Sequence, residues 1–412
     1  IYYYYIIPSG RTIKIGLVAP LDIPVGRDMR RAAEMAVEEI NKAGGIYVGD
    51  WGGRYPITLI IADTKKDESD SDAVTAVERA VTQDKVDLLI GGFGSSSTLA
   101  DQKIAIDNKV PYIITGASTH LVTRRGPQGN YGGLPEGNPL RITDADGMSY
   151  MFHYCTTTYH YSRSVVHFFA ECMKPLLDTR YGRSSDTNFS LGVVFRGDAY
   201  GRGVWQSSKY YIGADKLPIT IVAEVEYPKG TTDFKTILKG IKDAKPDALY
   251  VVDFTQGSSE IYRQGQVDVG LNTLYIAVEC CEEPEFYTAL GEYGDRQLLE
   301  SKFASYAGPP YYLNTMNVYC SAYKTKYGTT PGMMGADTYD GFYIAKDAIE
   351  RAGTVNKAKV RDALEKTNMP QMLIMTETGR IEFSNKSEIY HEIAPITFVE
   401  QLFWNATLNE CR

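Results

Sequence analysis

Short apolar runs alternate with segments of helical periodicity from residue 11 onward. The runs at 13–18, 57–62, 88–90 and 112–115 are mostly apolar and have the length of buried strands. Between the first two runs, apolar residues fall at helical spacing at Met29, Ala33, Ala36, Val37 and Ile40. Further helices are predicted after the cap residues Ser69 and Asp70 and over 97–108. Repeated strand–helix units of this length predict a parallel sheet with helices on both faces.

A second strand–helix series follows in the middle of the chain. It predicts strands at 191–195, 219–227, 248–253 and 273–277, with helices at 161–177, 200–212, 234–243 and 258–269. Three helices at 311–327, 337–352 and 356–366 come next, and antiparallel strands are expected from residue 372. Two similar halves, with a chain that re-enters the first, predict an α/β fold of two Rossmann-like lobes whose parallel central sheets are joined by a multi-strand hinge.

The domain boundaries follow from this pattern and from the length of 412 residues, which exceeds what one hydrophobic core usually organises. We place 1–10 in an N-terminal tether or strand, 11–150 and 309–375 in lobe 1, and 151–308 and 376–412 in lobe 2. Residues 121–150 interrupt the pattern because 124–139 are rich in Gly, Pro and Asn. We interpret this stretch as a surface excursion from lobe 1 that extends over the cleft.

Composition excludes some functions. The net charge of −8 argues against nucleic acid as a partner, because phosphate binding needs clustered Lys and Arg. No apolar run approaches the roughly 20 residues that a membrane-spanning helix needs. The chain has 31 tyrosines, and the segment Tyr2-Tyr3-Tyr4-Tyr5 opens it. We expect this segment to be a tether or an added edge strand, and the alternative is self-association by pairing with a neighbouring subunit's sheet edge.

The compartment is only weakly indicated by the sequence. Six cysteines, none in a CxxC pair, are compatible with disulfides outside the cytoplasm, although spacing does not give their pairing. Sequons at Asn188, Asn385 and Asn405 hint at an exported, glycosylated protein. Residues 1–7 lack the features of a signal peptide.

Catalytic and metal-binding motifs are weak. There is no GxxxxGK[ST] loop and no HExxH motif. His153, Cys155 and His160 would bind a metal only if they shared a face, and the thiols of Cys280 and Cys281 would point in different directions. We therefore expect no enzyme activity, no metal and no cofactor.

Two loops at strand ends carry the binding signal. Residues 91–98 (Gly-Gly-Phe-Gly-Ser-Ser-Ser-Thr) follow a strand and open a helix, where glycines permit close backbone approach and a helix N-terminus favours a negative group. Residues 115–119 (Thr-Gly-Ala-Ser-Thr) follow the next strand and are also small and hydroxyl-rich. A capped turn would account for Ser95 equally well. If the two strands are neighbours, both loops face one cavity that suits a small carboxylate.

With these loops, the chain resembles the type I periplasmic solute-binding proteins that bind leucine, isoleucine and valine and serve ABC transporters. The resemblance runs from Ile13 to about Gly379. Its most specific parts are the opening 13–21 (Ile-Lys-Ile-Gly…Ala-Pro-Leu), the turn 40–46 (Ile-Asn-Lys-Ala-Gly-Gly-Ile) and the loop 95–98 (Ser-Ser-Ser-Thr). It implies two lobes, a three-strand hinge and closure of the lobes on a free amino acid.

The resemblance also implies ligand contacts. Ser95 would bind the carboxylate, and Ala117 and Thr119 would hold both carboxylate and ammonium. Tyr200 would close over the ligand from lobe 2, and Glu279 would pair with the α-ammonium, since a buried charge needs a partner. Phe93, Tyr200 and Phe254 suggest an apolar or aromatic ligand side chain.

Three departures from the family pattern bear on specificity. Phe254 stands where the family has tyrosine, Gly94 replaces a cysteine of a lobe 1 disulfide, and the loop 22–26 is shorter. The expected function is therefore extracytoplasmic capture of a small apolar amino acid by a membrane-tethered protein and delivery to an ABC permease. The alternatives are a sensor domain or a surface-assembly subunit of the same fold.

Overall fold

The computed structural model describes residues 10–66, 69–303, 314–407 and 410–411. The chain divides into two compact units. Unit 1 comprises residues 1–155 and 315–395, and unit 2 comprises 156–314 and 396–412. The chain therefore passes between the units after Cys155, at Asn314 and after Pro395.

Unit 1 begins with seven strands and five helices. The strands are β1 (Ile13–Ala19), β2 (Ile46–Val48), β3 (Gly53–Tyr55), β4 (Ile57–Asp63), β5 (Leu88–Gly91), β6 (Tyr112–Ile114) and β7 (Met151–His153), and the helices are α1 (Pro24–Lys42), α2 (Asp70–Thr82), α3 (Ser95–Asp107), α4 (Leu121–Arg124) and α5 (Ala145–Met148). Five strands form a parallel sheet in the order β4-β1-β5-β6-β7. A hairpin of β2 and β3 forms a separate small sheet.

Unit 2 repeats this plan. Its helices are α6 (Thr158–Phe168), α7 (Lys174–Tyr181), α8 (Ala199–Ala214), α9 (Lys235–Ala244), α10 (Thr255–Arg263) and α11 (Pro284–Leu290), and its strands are β8 (Phe189–Arg196), β9 (Ile219–Tyr227), β10 (Ala248–Val252), β11 (Leu274–Ala277) and β12 (Leu298–Ser301). These strands are parallel in the order β12-β11-β10-β8-β9. When the five parallel strands of each sheet are numbered by their position in the chain, both sheets have the order 2-1-3-4-5.

The remaining elements return to both units. Helices α12 (Asn314–Tyr327), α13 (Met333–Ala352) and α14 (Lys357–Leu364) and the hairpin of β13 (Asn368–Pro370) and β14 (Arg380–Glu382) precede the last passage. β15 (Phe398–Gln401) then pairs antiparallel with β12, and β16 (Trp404–Asn405) pairs with β17 (Glu410–Cys411).

Helices cover both faces of the unit 1 sheet because successive strand residues point to opposite sides. Leu89, Tyr112 and Ile114 pack with buried residues of α2 and α3 in one apolar cluster. On the other face, Gly341 of α13 lies against Ile90, so closely that a Cβ there would approach the Ile90 Cγ2 to 3.0 Å. The predicted two-lobed α/β fold with parallel sheets is confirmed.

The unit boundaries differ from the predicted domains. We expected 376–412 in lobe 2, but 376–395 belong to unit 1. The His391 carbonyl accepts a hydrogen bond from the His153 amide at the end of β7, and Thr376 bridges to Pro395. These backbone bonds hold the segment on unit 1, and only the last 17 residues, 396–412, join unit 2.

The excursion at 121–150 is more embedded than a surface loop. Its first part is buried, and the Arg124 guanidinium forms a bidentate ion pair with the fully buried carboxylate of Glu392. Thr123 donates to the same carboxylate at 3.3 Å. The polar composition of this stretch predicted that it would be exposed. Its first part is instead held in the interior of unit 1 by the Arg124–Glu392 pair, whose members are 268 residues apart in the sequence.

Within the described part of the chain, no helix combines the length and the apolar character needed to cross a bilayer. The tyrosine-rich segment 2–5 lies outside the described residues, so its predicted role as a tether or association segment stays a prediction.

We predict that Arg124→Met destabilises the protein by about 3 kcal/mol, because it leaves the Glu392 carboxylate buried without its counter-ion. The double variant Arg124→Met/Glu392→Leu is expected to recover most of this loss. Urea unfolding measures both, with Arg30→Met as control since the Arg30–Glu34 pair is exposed. A double variant no more stable than the single one would contradict the prediction.

Asp340 gives a prediction about pH. Its Oδ2 accepts hydrogen bonds from the Tyr154 hydroxyl at 2.8 Å and from the amides of Leu373 and Ile374, and burial raises its pKa to about 7. The folded protein therefore keeps this proton up to about pH 7, whereas the unfolded chain releases it near pH 4. The stabilisation, about 4 kcal/mol at most, is present below pH 4 and is lost as the pH rises to 7.

Asp340→Asn keeps an accepting oxygen but does not titrate. We expect its unfolding free energy to fall less steeply than that of the wild type between pH 4 and pH 7, measured by urea unfolding at several pH values. Parallel curves for the two proteins would show that Asp340 does not contribute to this dependence.

Candidate functional site

The strand order places a site in each unit. In a parallel sheet of order 2-1-3-4-5, ligands bind beyond the carboxyl ends of the strands next to the point where the order reverses. In unit 1 this point lies between β1 and β5, and in unit 2 it lies between β8 and β10. The loops after these strands contain most of the residues that the sequence singled out.

In unit 1, the loops that follow β5 and β6 lie side by side. The Ala117 amide donates to the Gly92 carbonyl at 2.9 Å, and the Thr115 amide donates to the Gly91 carbonyl at 2.9 Å. Gly91 has a φ of +120°, and a Cβ there would lie 2.2 Å from the Val18 carbonyl oxygen. At Gly116 a Cβ would lie 2.6 Å from the Gly92 carbonyl oxygen. Only glycine allows this close approach, and the expected juxtaposition of the two loops is present.

Ser95 is the first residue of α3 and stands at the centre of this region. Its side chain is 3% exposed, and its Oγ has no hydrogen-bond partner among the described residues. The preceding residue, Gly94, caps the helix with its backbone alone. The first amides of α3 therefore point out of the helix together with a buried hydroxyl, an arrangement that favours an anion.

Ala117 and Thr119 are buried in the neighbouring loop, and Phe93 is buried between Gly92 and Gly94. The Ala117 carbonyl already accepts hydrogen bonds from His153 Nε2 at 2.7 Å and from Cys155 Sγ at 3.5 Å. The Thr119 Oγ1 accepts a long bond, 3.4 Å, from the Leu121 amide. Ser95, Phe93, Ala117 and Thr119 thus lie in two adjoining loops of unit 1.

In unit 2, a buried charge cluster lies at the ends of β8 and β10. Arg196 pairs with Asp198 at 2.8 Å and with Asp253 at 3.1 Å. The Tyr227 hydroxyl also donates to Asp253, at 2.6 Å. Burial raises the pKa of Asp253, and the Arg196 charge opposes that rise. The sequence analysis did not identify this cluster.

Arg196 also supports the aromatic residues of unit 2. Its guanidinium carbon lies 4.2 Å from the centre of the Phe254 ring, which stacks on the Tyr200 ring at 5.0 Å. The Tyr200 hydroxyl donates to Cys280 Sγ at 2.9 Å, and burial raises the pKa of Tyr200 well above its usual value. Tyr200 and Phe254 therefore form an apolar surface with little freedom to move.

Glu279 follows β11 and is 1% exposed. Its Oε1 accepts a hydrogen bond from the Thr156 hydroxyl and lies 3.1 Å from the Lys302 Nζ. The Lys302 Nζ also donates to the Thr156 oxygen at 3.3 Å. The three groups form a closed triangle, so the carboxylate already has a cationic partner within unit 2.

Lys302 was missed because the strand before it, β12, was not recognised. The segment Leu298-Leu299-Glu300-Ser301 has only two apolar residues, although all four residues are buried. A buried Glu300 next to a buried Lys302 breaks the hydrophobic pattern on which strand prediction depends. Arg196 offered a sequence signal, since a cation directly after the strand 191–195 lies at the edge where ligands bind.

The cysteines do not behave as the even count suggested. Cys172, Cys280 and Cys281 carry thiols in this structure. Cys280 and Cys281 are buried, and their sulfurs both lie within hydrogen-bond reach of the Asp253 carbonyl oxygen. Cys280 also accepts the hydrogen bond of the Tyr200 hydroxyl, which ties the Tyr200 ring to the residues after β11.

The two α/β units share one strand order, and each has small or aromatic residues in the loops next to its reversal point. A model of the periplasmic binding protein family matches residues 12–390 of the chain. The protein belongs to this family, as the sequence resemblance predicted.

Relatives and solved structures are consistent with this membership. The chain is 23% identical over 363 residues to the Leu/Ile/Val-binding protein homolog 7 of Brucella abortus, covering 87% of this chain and 82% of the relative. The branched-chain amino acid transporter substrate binding protein LivJ of Streptococcus pneumoniae, solved with isoleucine, has a TM-score of 0.72 at 21% identity, covering 94% and 95% of the two chains. An ABC transporter solute-binding protein of R. palustris, solved with benzoate, has a TM-score of 0.72 at 16% identity, covering 98% and 95%. These relatives and solved structures are binding proteins to which the chain is similar, and the structural likeness shows that they share its fold.

We predict that Arg196→Met destabilises unit 2 by about 3 kcal/mol, because Asp253 loses its buried counter-ion. The matched control is Arg202→Met, which breaks the exposed Arg202–Glu226 pair in the same unit and is expected to change stability little. Urea unfolding followed by tryptophan fluorescence measures both, since Trp205 is buried in unit 2. Equal unfolding midpoints for the two variants would contradict a structural role for Arg196.

Proposed function

We propose that this protein captures a small solute that carries a carboxylate and an apolar side group, and delivers it to an ABC permease outside the cytoplasm. A free apolar amino acid is the ligand that the family resemblance implies. The protein holds the solute without changing it, since the relatives are solute-binding proteins.

The Ser95 hydroxyl at the N-terminus of α3 is the observation that carries this proposal. A buried hydroxyl without a partner costs free energy unless it gains one, and a carboxylate is a strong acceptor for it. The first amides of α3 add donors, and the helix dipole adds a favourable field. The Thr119 hydroxyl belongs to the same carboxylate subsite in this proposal.

The apolar part of the solute is assigned to the aromatic residues. Phe93 would contact it from unit 1, and the stacked Tyr200 and Phe254 would contact it from unit 2. The absence of a hydroxyl on Phe254 favours an apolar group over a polar one. Isoleucine and benzoate, the ligands of two structural neighbours, both combine a carboxylate with an apolar group.

Capture would occur by closure of the two units, because a ligand that contacts both favours the closed population. The family resemblance implies that Glu279 completes the site by pairing with an α-ammonium. Delivery requires a membrane permease that recognises the closed form.

The proposal predicts that apolar carboxylate solutes raise the thermal unfolding midpoint. A ligand at about 100 times its Kd adds about 2.7 kcal/mol to the stability of the folded state. The panel contains the apolar amino acids, the matching acids without the amino group, and the primary amides of both. The protein is first unfolded, dialysed and refolded to remove any retained ligand. Stabilisation by the amides but by none of the carboxylates would overturn the proposal.

Ser95→Ala is expected to weaken binding of every active carboxylate by about tenfold or more, since it removes a hydrogen bond to a charged group. Ser321→Ala, at an exposed position of α12, is the matched control and should bind as the wild type does. Isothermal titration calorimetry measures both. Unchanged affinity in Ser95→Ala would move the carboxylate away from the N-terminus of α3.

A further inference from the structure

The Glu279 carboxylate and the Lys302 ammonium are brought together by the register of two parallel strands. β11 and β12 pair with Ala277 opposite Leu299, so the residues that follow each strand leave the sheet at the same edge. The side chains of Lys302 and Glu279 are 0% and 1% exposed, respectively. A contact of 3.1 Å at this depth is an ion pair with little access to solvent.

Two further glutamates near this lysine have hydrogen-bond partners of their own. Glu282 Oε2 accepts hydrogen bonds from the amides of Lys302 and Phe303, at 3.0 and 3.1 Å. Glu300 accepts from the Tyr250 hydroxyl at 2.7 Å, and burial raises the pKa of Glu300 well above its usual range, which favours its neutral form. The Lys302 Nζ itself lies 3.1 Å from the Glu279 Oε1, so these two charges are paired within unit 2.

A ligand ammonium at Glu279 would have to share the carboxylate with Lys302. Two cations a few ångströms apart repel each other strongly where water is excluded. Thr156 does not relieve this repulsion, because its hydroxyl already bridges the ammonium and the carboxylate. The Glu279 carboxylate is therefore already paired with an ammonium group of the protein, that of Lys302.

Unit 1 provides an independent observation of the same kind. The Ala117 carbonyl, the second acceptor expected for a ligand ammonium, already accepts from His153 and Cys155. The Ser95 hydroxyl, expected for the carboxylate, has no partner among the described residues. The Ser95 hydroxyl thus lacks a partner in the described part of the chain, whereas the Ala117 carbonyl and the Glu279 carboxylate, two of the acceptors expected for an ammonium, have partners from the protein.

We propose that Lys302 takes the place of a ligand ammonium at Glu279, so that the protein selects carboxylate solutes without an α-ammonium group over the matching amino acids. This inference rests on the proposed function and narrows its ligand to apolar monocarboxylates. Lys302 is then a specificity-determining residue, because it pairs with the Glu279 carboxylate that would otherwise bind a ligand ammonium.

The first test compares matched ligands on the refolded wild-type protein. Isothermal titration calorimetry measures leucine against 4-methylpentanoate, valine against 3-methylbutanoate, and phenylalanine against 3-phenylpropanoate. In at least one pair, we expect the acid without the amino group to bind about tenfold tighter or more. Amino acids that bind as tightly as their acids, or more tightly, would overturn the inference and leave the proposed function intact. Binding of neither member of any pair would overturn both.

The second test changes the lysine. Lys302→Met and Lys302→Gln remove the charge, and an amino acid would then supply the missing counter-ion of Glu279. We expect amino acid affinity to rise about tenfold or more and acid affinity to change less. Lys209→Met is the control, since it breaks an exposed pair with Glu224 in the same unit.

If Lys302→Met fails to fold, Lys302→Gln retains a hydrogen-bond donor for Glu279, and the wild-type comparison needs no variant. A folded Lys302→Gln whose preference for acids equals that of the wild type would show that Lys302 has only a structural role. That result would overturn the inference.

Discussion

The hydrogen bond from the Ala117 amide to the Gly92 carbonyl is the constraint on which the rest of the unit 1 site depends. It draws the loops after β5 and β6 together, and this approach is possible because Gly116 has no side chain to meet the Gly92 carbonyl oxygen. With the loops in contact, the first turn of α3 opens beside the second loop rather than into solvent. Ser95 is buried as a result, and its hydroxyl has no hydrogen-bond partner among the described residues.

Unit 2 differs from unit 1 because charged side chains are buried next to its aromatic residues. Arg196 pairs with both Asp253 and Asp198, and Lys302 pairs with Glu279, so these carboxylates have a cationic partner inside the unit. Removing one partner of such a pair costs more than the pair contributes, because the other charge stays buried. The charges therefore hold Phe254 and Tyr200 in place more than they attract a ligand.

The common strand order of the two units gives them comparable sites with opposite character. In each, the reversal point of the sheet faces the loops after the first and third strands. Unit 1 places small residues and helix amides there, which suits an anion. Unit 2 places an aromatic pair and neutralised charges there, which suits an apolar group.

The sequence alone determined the class of fold, the two series of strands and helices, and the residues of the loops at 91–98 and 115–119, because these depend on local periodicity and on glycine spacing. It did not reveal β12, whose Glu300 breaks the apolar pattern, nor the return of 376–395 to unit 1. By family resemblance, the sequence assigned Glu279 to a ligand ammonium, but it could not show that the Glu279 carboxylate is already paired with Lys302. Only the tertiary structure decided that, because the register of β11 and β12 brings together two charges that lie 23 residues apart in the chain.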